Sequence, residues 1–258
     1  VTALRVGDEV QSTFFQGWLQ GPPKFVPALG DGKAPGMLAE KVVLNEHGVV
    51  PIARSLELEQ AACLPCAGVT AWNALFEGGN PLQAGQKVLV LGTGGVSLIA
   101  LKLAKAAGAE VIATSSSDEK LEQVKALGAD HVINYKHTPD WGAYVKEQFG
   151  GADKIVEVGG TGTLEQSMNA CAPLAEIALI GVLADGSPPE PRGLMFTGSS
   201  IRGIFVGSAA MAADLNAFVD KHHLTFPVGK SFSFEEADKA YAHGWGPDSF
   251  GKTVISLG

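Results

Sequence analysis

Cysteine is scarce in this sequence, with three in 258 residues. That is too few for a disulfide framework and points to a reducing cytoplasm. Cations are outnumbered, 19 Lys and Arg against 27 Asp and Glu, for a net charge of −8. This balance argues against a nucleic-acid partner. Long apolar runs are also missing. The longest one free of charge, Val88 to Leu101, is glycine-interrupted and too short to span a bilayer. Neither a membrane partner nor a signal peptide is expected. The chain starts at Val1, and its first residues already read as the middle of a domain, so an amino-terminal portion is expected to be missing. What remains is ordinary globular material, 46% hydrophobic and 18% charged, enough for one large domain or two modest ones.

The informative stretch is KVLVLGTGGVSLIALKLAKAAG, Lys87 to Gly108. Lys87–Leu91 is a short, β-branched apolar run, as in a strand buried on both faces. Gly92, Thr93, Gly94 and Gly95 break it. From Val96 the pattern is helical, with Ser97, Lys102 and Lys105 falling roughly on one side, and Gly108 ends it. A glycine turn between a buried strand and a helix aims free amides and the positive helix end at one spot, which suits a pyrophosphate. Gly92 permits the tight turn, and Gly94 lets backbone approach the phosphates. Ser97 stands where the G-x-G-x-x-G fingerprint has its last glycine. An ordinary βα turn is the competing reading, and the second strand arriving at Val111 favours the dinucleotide one.

Ahead of this lie strand-like runs. VGDEV (Val6 to Val10) is a hairpin or strand-start signal. Phe14, Phe15 and Trp18 either line a pocket or cap a small β core. MLAEKVVL (Met37 to Leu44) alternates as a half-buried antiparallel strand should. Leu56 to Phe76 reads as two helices with Pro65 at their junction. They carry a C-x-x-C, Cys63 and Cys66, which suits redox chemistry, half a zinc site, or plain burial.

After Lys87 strands and helices alternate. Ser116 with Glu119 suggests a capping box. HVINY (131–135) is a third strand, a helix follows from Pro139 to Phe149, and IVEVGG (155–160) is a fourth strand. A helix covers Thr163 to Ala170, EIALIGVL (176–183) is a fifth strand and IRGIFVG (201–207) a sixth. Six such units predict an α/β fold with a doubly wound parallel sheet. The last 50 residues, with a helix near 209–221 and a closing GKTVISLG strand, read as a return to the first domain.

NAD-preferring sites place an acid at the end of the second strand. Here that strand runs into Thr114, Ser115, Ser116 and Ser117, with no carboxylate before Asp118. Three hydroxyls and Lys120 could instead bind a 2′-phosphate, which favours NADP(H) over NAD(H). Helix capping is the alternative role for these serines.

With these pieces in place the chain resembles the medium-chain dehydrogenase/reductase family, in its alcohol-dehydrogenase-like and quinone-oxidoreductase-like branch. VGDEV, MLAEKVVL, LPCAGVTAWNAL, VLVLGTGGVSL, ATSSSDEKL, LGADHVINY, VEVGG, LIGVL and FGKTVISLG occur in family order over nearly the whole chain. The resemblance implies a Rossmann domain over 58–208. It also implies an incomplete, mainly β, GroES-like catalytic domain from 1–57 and 209–258. Thr70 and the turn Gly94, Gly95 and Val96 would sit at the cofactor phosphates. Ser115 and Lys120 would lie by the adenosine ribose, with Tyr135 close to it. Gly159, Gly181, Val182, Phe205 and Val206 would approach the nicotinamide half, and Phe14 the substrate pocket. A homodimer through the strand 201–207 is implied.

The loop that holds structural zinc in some relatives is cysteine-rich, and Gln11 to Lys41 has no cysteine, so no structural zinc is expected. Cys66 matches a catalytic-zinc ligand of the zinc-dependent members, but one thiolate does not hold zinc. The expected function is zinc-independent, NADPH-dependent hydride transfer to a quinone, enone or other carbonyl. No acid–base residue is assigned. The alternatives are a zinc alcohol dehydrogenase using Cys66 and outside ligands, and a truncated nucleotide-binding protein without turnover.

Overall fold

The computed structural model describes residues 4–24, 26–181, 186–187, 189–246 and 249–257. The chain forms two compact units, Val1–Thr70 with Phe205–Gly258, and Ala71–Ile204.

In the first unit a turn at Gly7 leads into β1 (Val10–Ser12), antiparallel to β2 (Val49–Pro51). VGDEV is therefore a strand start. Phe15 and Trp18 are buried, and Phe14 stands half-exposed, edge-on to Phe15 at 4.8 Å. The strand expected over Met37 to Leu44 is absent. That stretch is irregular, with Met37, Leu38, Val42 and Val43 exposed. Alternation decides which face a strand would show, but a strand needs a neighbour to complete its ladder. Among the described residues none pairs with it. Next come α1 (Leu58–Ala61), a π turn over Leu64–Gly68 with Pro65 in its first positions, and α2 (Val69–Phe76).

The second unit is built on alternating elements. They are β3 (Lys87–Leu91), α3 (Gly95–Ala106), β4 (Glu110–Ser115), α4 (Asp118–Ala126), β5 (His131–Asn134), α5 (Trp141–Phe149) and β6 (Ala152–Glu157), then α6 (Leu164–Asn169), β7 (Cys171–Leu179), α7 (Gly193–Thr197) and β8 (Ser200–Gly203). The six strands form one parallel sheet in the order β5-β4-β3-β6-β7-β8. This is the doubly wound order, running outward in both directions from β3 and β6. Leu89, Ile112, Ile155 and Ile177 are fully buried in one cluster, joined by Trp141 and Val145. Each such side chain contributes about 2 kcal/mol by leaving water, and Ile155→Ala would cost about 2–5 kcal/mol.

Several boundaries differ from expectation: β6 and β7 begin at Ala152 and Cys171 and end at Glu157 and Leu179, ahead of the strands expected over 155–160 and 176–183. Ser117, rather than Ser116, caps α4 by accepting from Lys120 N at 3.3 Å. α5 starts at Trp141, two residues past Pro139. β8 ends at Gly203, so Phe205 and Val206 lie beyond the strand expected over 201–207.

The first unit resumes with α8 (Ala209–His222), capped by Ser208, with its first amides donating to the carbonyls of Trp18 and Leu19. Asn216 Nδ2 donates to Pro51 O at 2.7 Å. β9 (Val228–Ser233), α9 (Ala237–Gly244) and β10 (Lys252–Ser256) follow, with β10 parallel to β9.

Candidate functional site

The strand order reverses between β3 and β6, so connections leave their carboxyl ends in opposite directions, the point at which open α/β sheets bind ligands. Gly92, at φ +70°, turns the chain out of β3 while its amide donates to Thr114 O at 2.9 Å. Gly94 is exposed at the N-terminus of α3, and no atom lies within 4 Å of where a Cβ would stand. The leading amides of this twelve-residue helix have no intrahelical partners. Gly94, Gly95 and Val96 thus form a cradle that fits a pyrophosphate.

Ser97 does not face solvent with Lys102 and Lys105. It is 1% exposed, and its hydroxyl donates to Leu91 O at 2.6 Å. The residue replacing the third glycine ties the helix to the strand it follows.

Ser115, at the end of β4, is buried, and its Oγ accepts from Ser117 N at 3.4 Å. Lys120 lies one turn into α4. The nearest carboxylate, Asp118, is already engaged, accepting from Asn134 Nδ2 at 2.6 Å. Tyr135 follows β5, donates its amide to Ser115 O and exposes its ring.

At the ends of β6 and β7, Gly159 and Gly181 are required by packing alone. A Cβ on Gly159 would strike Thr163, and one on Gly181 would strike the Val158 carbonyl. Holding this corner is a residue that sequence reasoning passed over. Glu157 is fully buried. Its Oε1 accepts from Gly159 N at 2.7 Å, Gly160 N at 3.0 Å and Thr163 Oγ1 at 2.6 Å, and its Oε2 accepts from Ser167 Oγ. Four donors replace the water a buried carboxylate loses. The signal was available: an acid inside an otherwise apolar strand is rarely fully buried unless paired. Val182 lies outside the described residues.

The remaining site residues belong to the first unit. Thr70 is buried, and its hydroxyl donates to Cys66 O at 2.7 Å across the π turn. Phe205 is exposed and stands 5.2 Å from the ring of Phe15. Val206 has φ +56°, a left-handed conformation that costs a β-branched residue about 1–3 kcal/mol.

The two thiols of the C-x-x-C are not activated. Burial pushes the Cys63 thiol up to about 11, against a smaller pull from Lys252. Cys66 has exposed surface but is crowded on its other sides. That crowding raises its thiol, offset in part by Lys252 and a Thr70 hydrogen bond. A nucleophilic or redox thiol needs the opposite shift. Among the described residues no three His, Cys, Asp or Glu side chains gather where they could hold a metal. With Cys66 as the single candidate, these residues do not fit a zinc centre by themselves.

Comparison with known proteins agrees with this geometry. The profile of the zinc-binding dehydrogenase family matches residues 95–221. A zinc-type alcohol dehydrogenase-like protein of Schizosaccharomyces pombe is 41% identical over 100% of this chain and 77% of its own length. The chloroplastic NADPH-dependent alkenal/one oxidoreductase of Arabidopsis thaliana is 36% identical over 61% of this chain and 40% of its own. A putative alcohol dehydrogenase from Sinorhizobium meliloti 1021 superposes with a TM-score of 0.92 at 44% identity, over 100% of this chain and 77% of that one. An NAD-dependent alcohol dehydrogenase superposes at 0.81 and 33% identity, over 91% and 68%. Sequence, strand order and glycine turn agree: the chain belongs to the zinc-binding dehydrogenases of the medium-chain dehydrogenase/reductase family.

Proposed function

We propose that this oxidoreductase uses NADP(H) and transfers hydride to an enone, quinone or other carbonyl without zinc. The observation that carries the cofactor preference is the end of β4. There the buried Ser115 leads through Ser116 to Ser117, which caps α4, Lys120 lies in the first turn of that helix, and no carboxylate precedes Asp118. A 2′-phosphate would meet a cation there, and no acid stands at the strand end to take the ribose hydroxyls. Gly94, Gly95 and Val96 would hold the pyrophosphate. Tyr135 would cover the adenosine side, and Gly159 and Gly181 would flank the nicotinamide. When bound, the nicotinamide supplies the hydride. The chain's own task is to hold donor and acceptor close and to exclude water. The NADPH-dependent alkenal/one oxidoreductase among the relatives supports this acceptor class.

Titration with NADPH and NADH tests the reading, followed by oxidation of NADPH against a panel of enones, quinones and aldehydes. Saturable NADPH binding at least tenfold tighter than NADH is expected, roughly the 1.4 kcal/mol of one lost charge-assisted contact. Equal binding of the two would remove the preference, and no binding would remove the oxidoreductase reading. Binding without turnover across the panel would favour the nucleotide-binding alternative. Zinc in unit ratio, lost in Cys66→Ser, would favour the zinc alcohol dehydrogenase reading.

A homodimer through β8 is part of the same proposal. β8 is the edge of the sheet, and Leu174, Met195, Phe196 and Ile201 are exposed within the same unit. Three free thiols suit a reducing cytoplasm.

A further inference from the structure

The chain passes between its two units twice, at Thr70/Ala71 in the first turn of α2 and at Ile204/Phe205 just after β8. Arg202 stands two residues before the second passage. Its donors go to the residues just after the first. Nη1 donates to Asn73 Oδ1 at 2.9 Å, and Nη2 to Asn73 O at 2.8 Å and Ala74 O at 3.4 Å. These carbonyls belong to the last turn of α2, the negative end of the helix, where Asn73 O also accepts from Glu77 N at 3.3 Å.

The other side of the guanidinium is anchored in the sheet. Nε donates to Glu176 Oε1 at 3.1 Å. The same oxygen accepts from Lys154 Nζ at 2.8 Å, and that ammonium also donates to Asn80 O in the loop after α2. Lys154 is 1% exposed and Glu176 4%. Two cations on one carboxylate leave a surplus positive charge, which the helix-end carbonyls and Asn80 O absorb. Gly78 leaves room for the arrangement, since a Cβ there would come within 2.8 Å of Arg202 Nε. β8 is held independently as well, by Ile204 N donating to Leu179 O at 2.8 Å.

We propose that Arg202 is a positioning residue that pins both inter-unit connectors to one point on the parallel sheet. A helix cap alone would steady α2 and leave the second connector indifferent to the guanidinium. The arrangement here loads both, because the donor group is on one connector and its acceptors are on the other. The inference goes beyond the cofactor reading and does not depend on it.

Hydrogen–deuterium exchange on the 258-residue chain without ligand tests it, in Arg202→Gln, Arg202→Lys and Asn73→Ala. Arg202→Gln is expected to speed exchange on the order of tenfold in peptides covering both 69–77 and 203–208, with β3, β4 and β5 unchanged. Arg202→Lys is expected to restore part of the protection in both windows, since a lysine keeps the charge and loses the fork. Asn73→Ala removes the Oδ1 acceptor and leaves the Glu176 pairing. It should speed both windows by a smaller factor, and it carries the test if Arg202→Gln does not fold. Faster exchange in 69–77 alone, in either variant, would overturn the proposal. So would acceleration spread evenly over the whole sheet, which would make Arg202 a general stabiliser.

Discussion

Ser97 Oγ donates to the carbonyl of Leu91 at 2.6 Å, joining the first turn of α3 to the last residue of β3 with both residues buried. Removing the hydroxyl leaves a buried carbonyl short of a donor, which costs about 1–3 kcal/mol. Ser97→Ala should lose that much in urea unfolding. Ser97→Gly, which completes the glycine fingerprint, should lose a further ~1 kcal/mol through helix propensity. A glycine variant as stable as the parent would refute the role assigned to the hydroxyl.

Glu157 offers a sharper contrast between two substitutions. Glutamine keeps an oxygen for the amides of Gly159 and Gly160 and turns its amide nitrogen toward Ser167. Alanine strands all four donors. Glu157→Gln should cost about 1 kcal/mol and Glu157→Ala about 3 kcal/mol or more. Equal losses in the two variants would mean that the carboxylate fills space and does not organise the corner.

The cofactor proposal makes its own demand on Lys120. A cation that meets a 2′-phosphate matters for NADPH and not for NADH. Lys120→Ala should weaken NADPH binding on the order of tenfold and leave NADH within twofold. Fluorescence titration of both nucleotides reads the ratio. If both affinities fell together, Lys120 would be supporting α4 and not reading the phosphate.

The parallel sheet was legible because its strands are buried on both faces and carry continuous apolar runs, so Lys87–Leu91 and Val111–Ser115 announce themselves without knowledge of their neighbours. The glycine turn was legible for the same reason, being a local feature. Met37–Leu44 misled because alternation describes a face and says nothing about a partner strand. Ser97 misled because a hydroxyl was read as polar surface, whereas its nearest acceptor is six residues back, a contact made only once β3 and α3 pack. The Arg202 network depends on four sequence-distant segments meeting. Its sequence trace is the pair of charges at Lys154 and Glu176, each followed by apolar strand residues.

Cys63 gives the protein a predictable alkaline limit. Burial raises its thiol from 9.0 to about 11. Below about pH 9 the group is neutral both folded and unfolded, so its contribution to stability is fully present. As pH rises further the unfolded chain ionises first, and the contribution is lost progressively until the folded thiol ionises near 11. The loss approaches about 2–3 kcal/mol, at 1.36 kcal/mol per unit. Urea unfolding at pH 8.5 and pH 10.5 should show a decline in the parent that is visibly shallower in Cys63→Ala. Identical declines would assign the alkaline loss to other groups.

The edge at β8 bears on assembly. Phe196 is 90% exposed and Met195 79%, and Ile201 lies on the edge strand, paired on one side to β7. An exposed apolar edge of this kind is a pairing surface unless something blunts it. Charge placed there should abolish pairing without disturbing the core, because neither side chain is buried. Phe196→Glu combined with Ile201→Lys should turn a dimer into a 26.7 kDa monomer by light scattering, with the unfolding midpoint of the isolated subunit unchanged. A parent that is already monomeric at high micromolar concentration, or a double variant that stays dimeric, would rule out β8 as the joining strand.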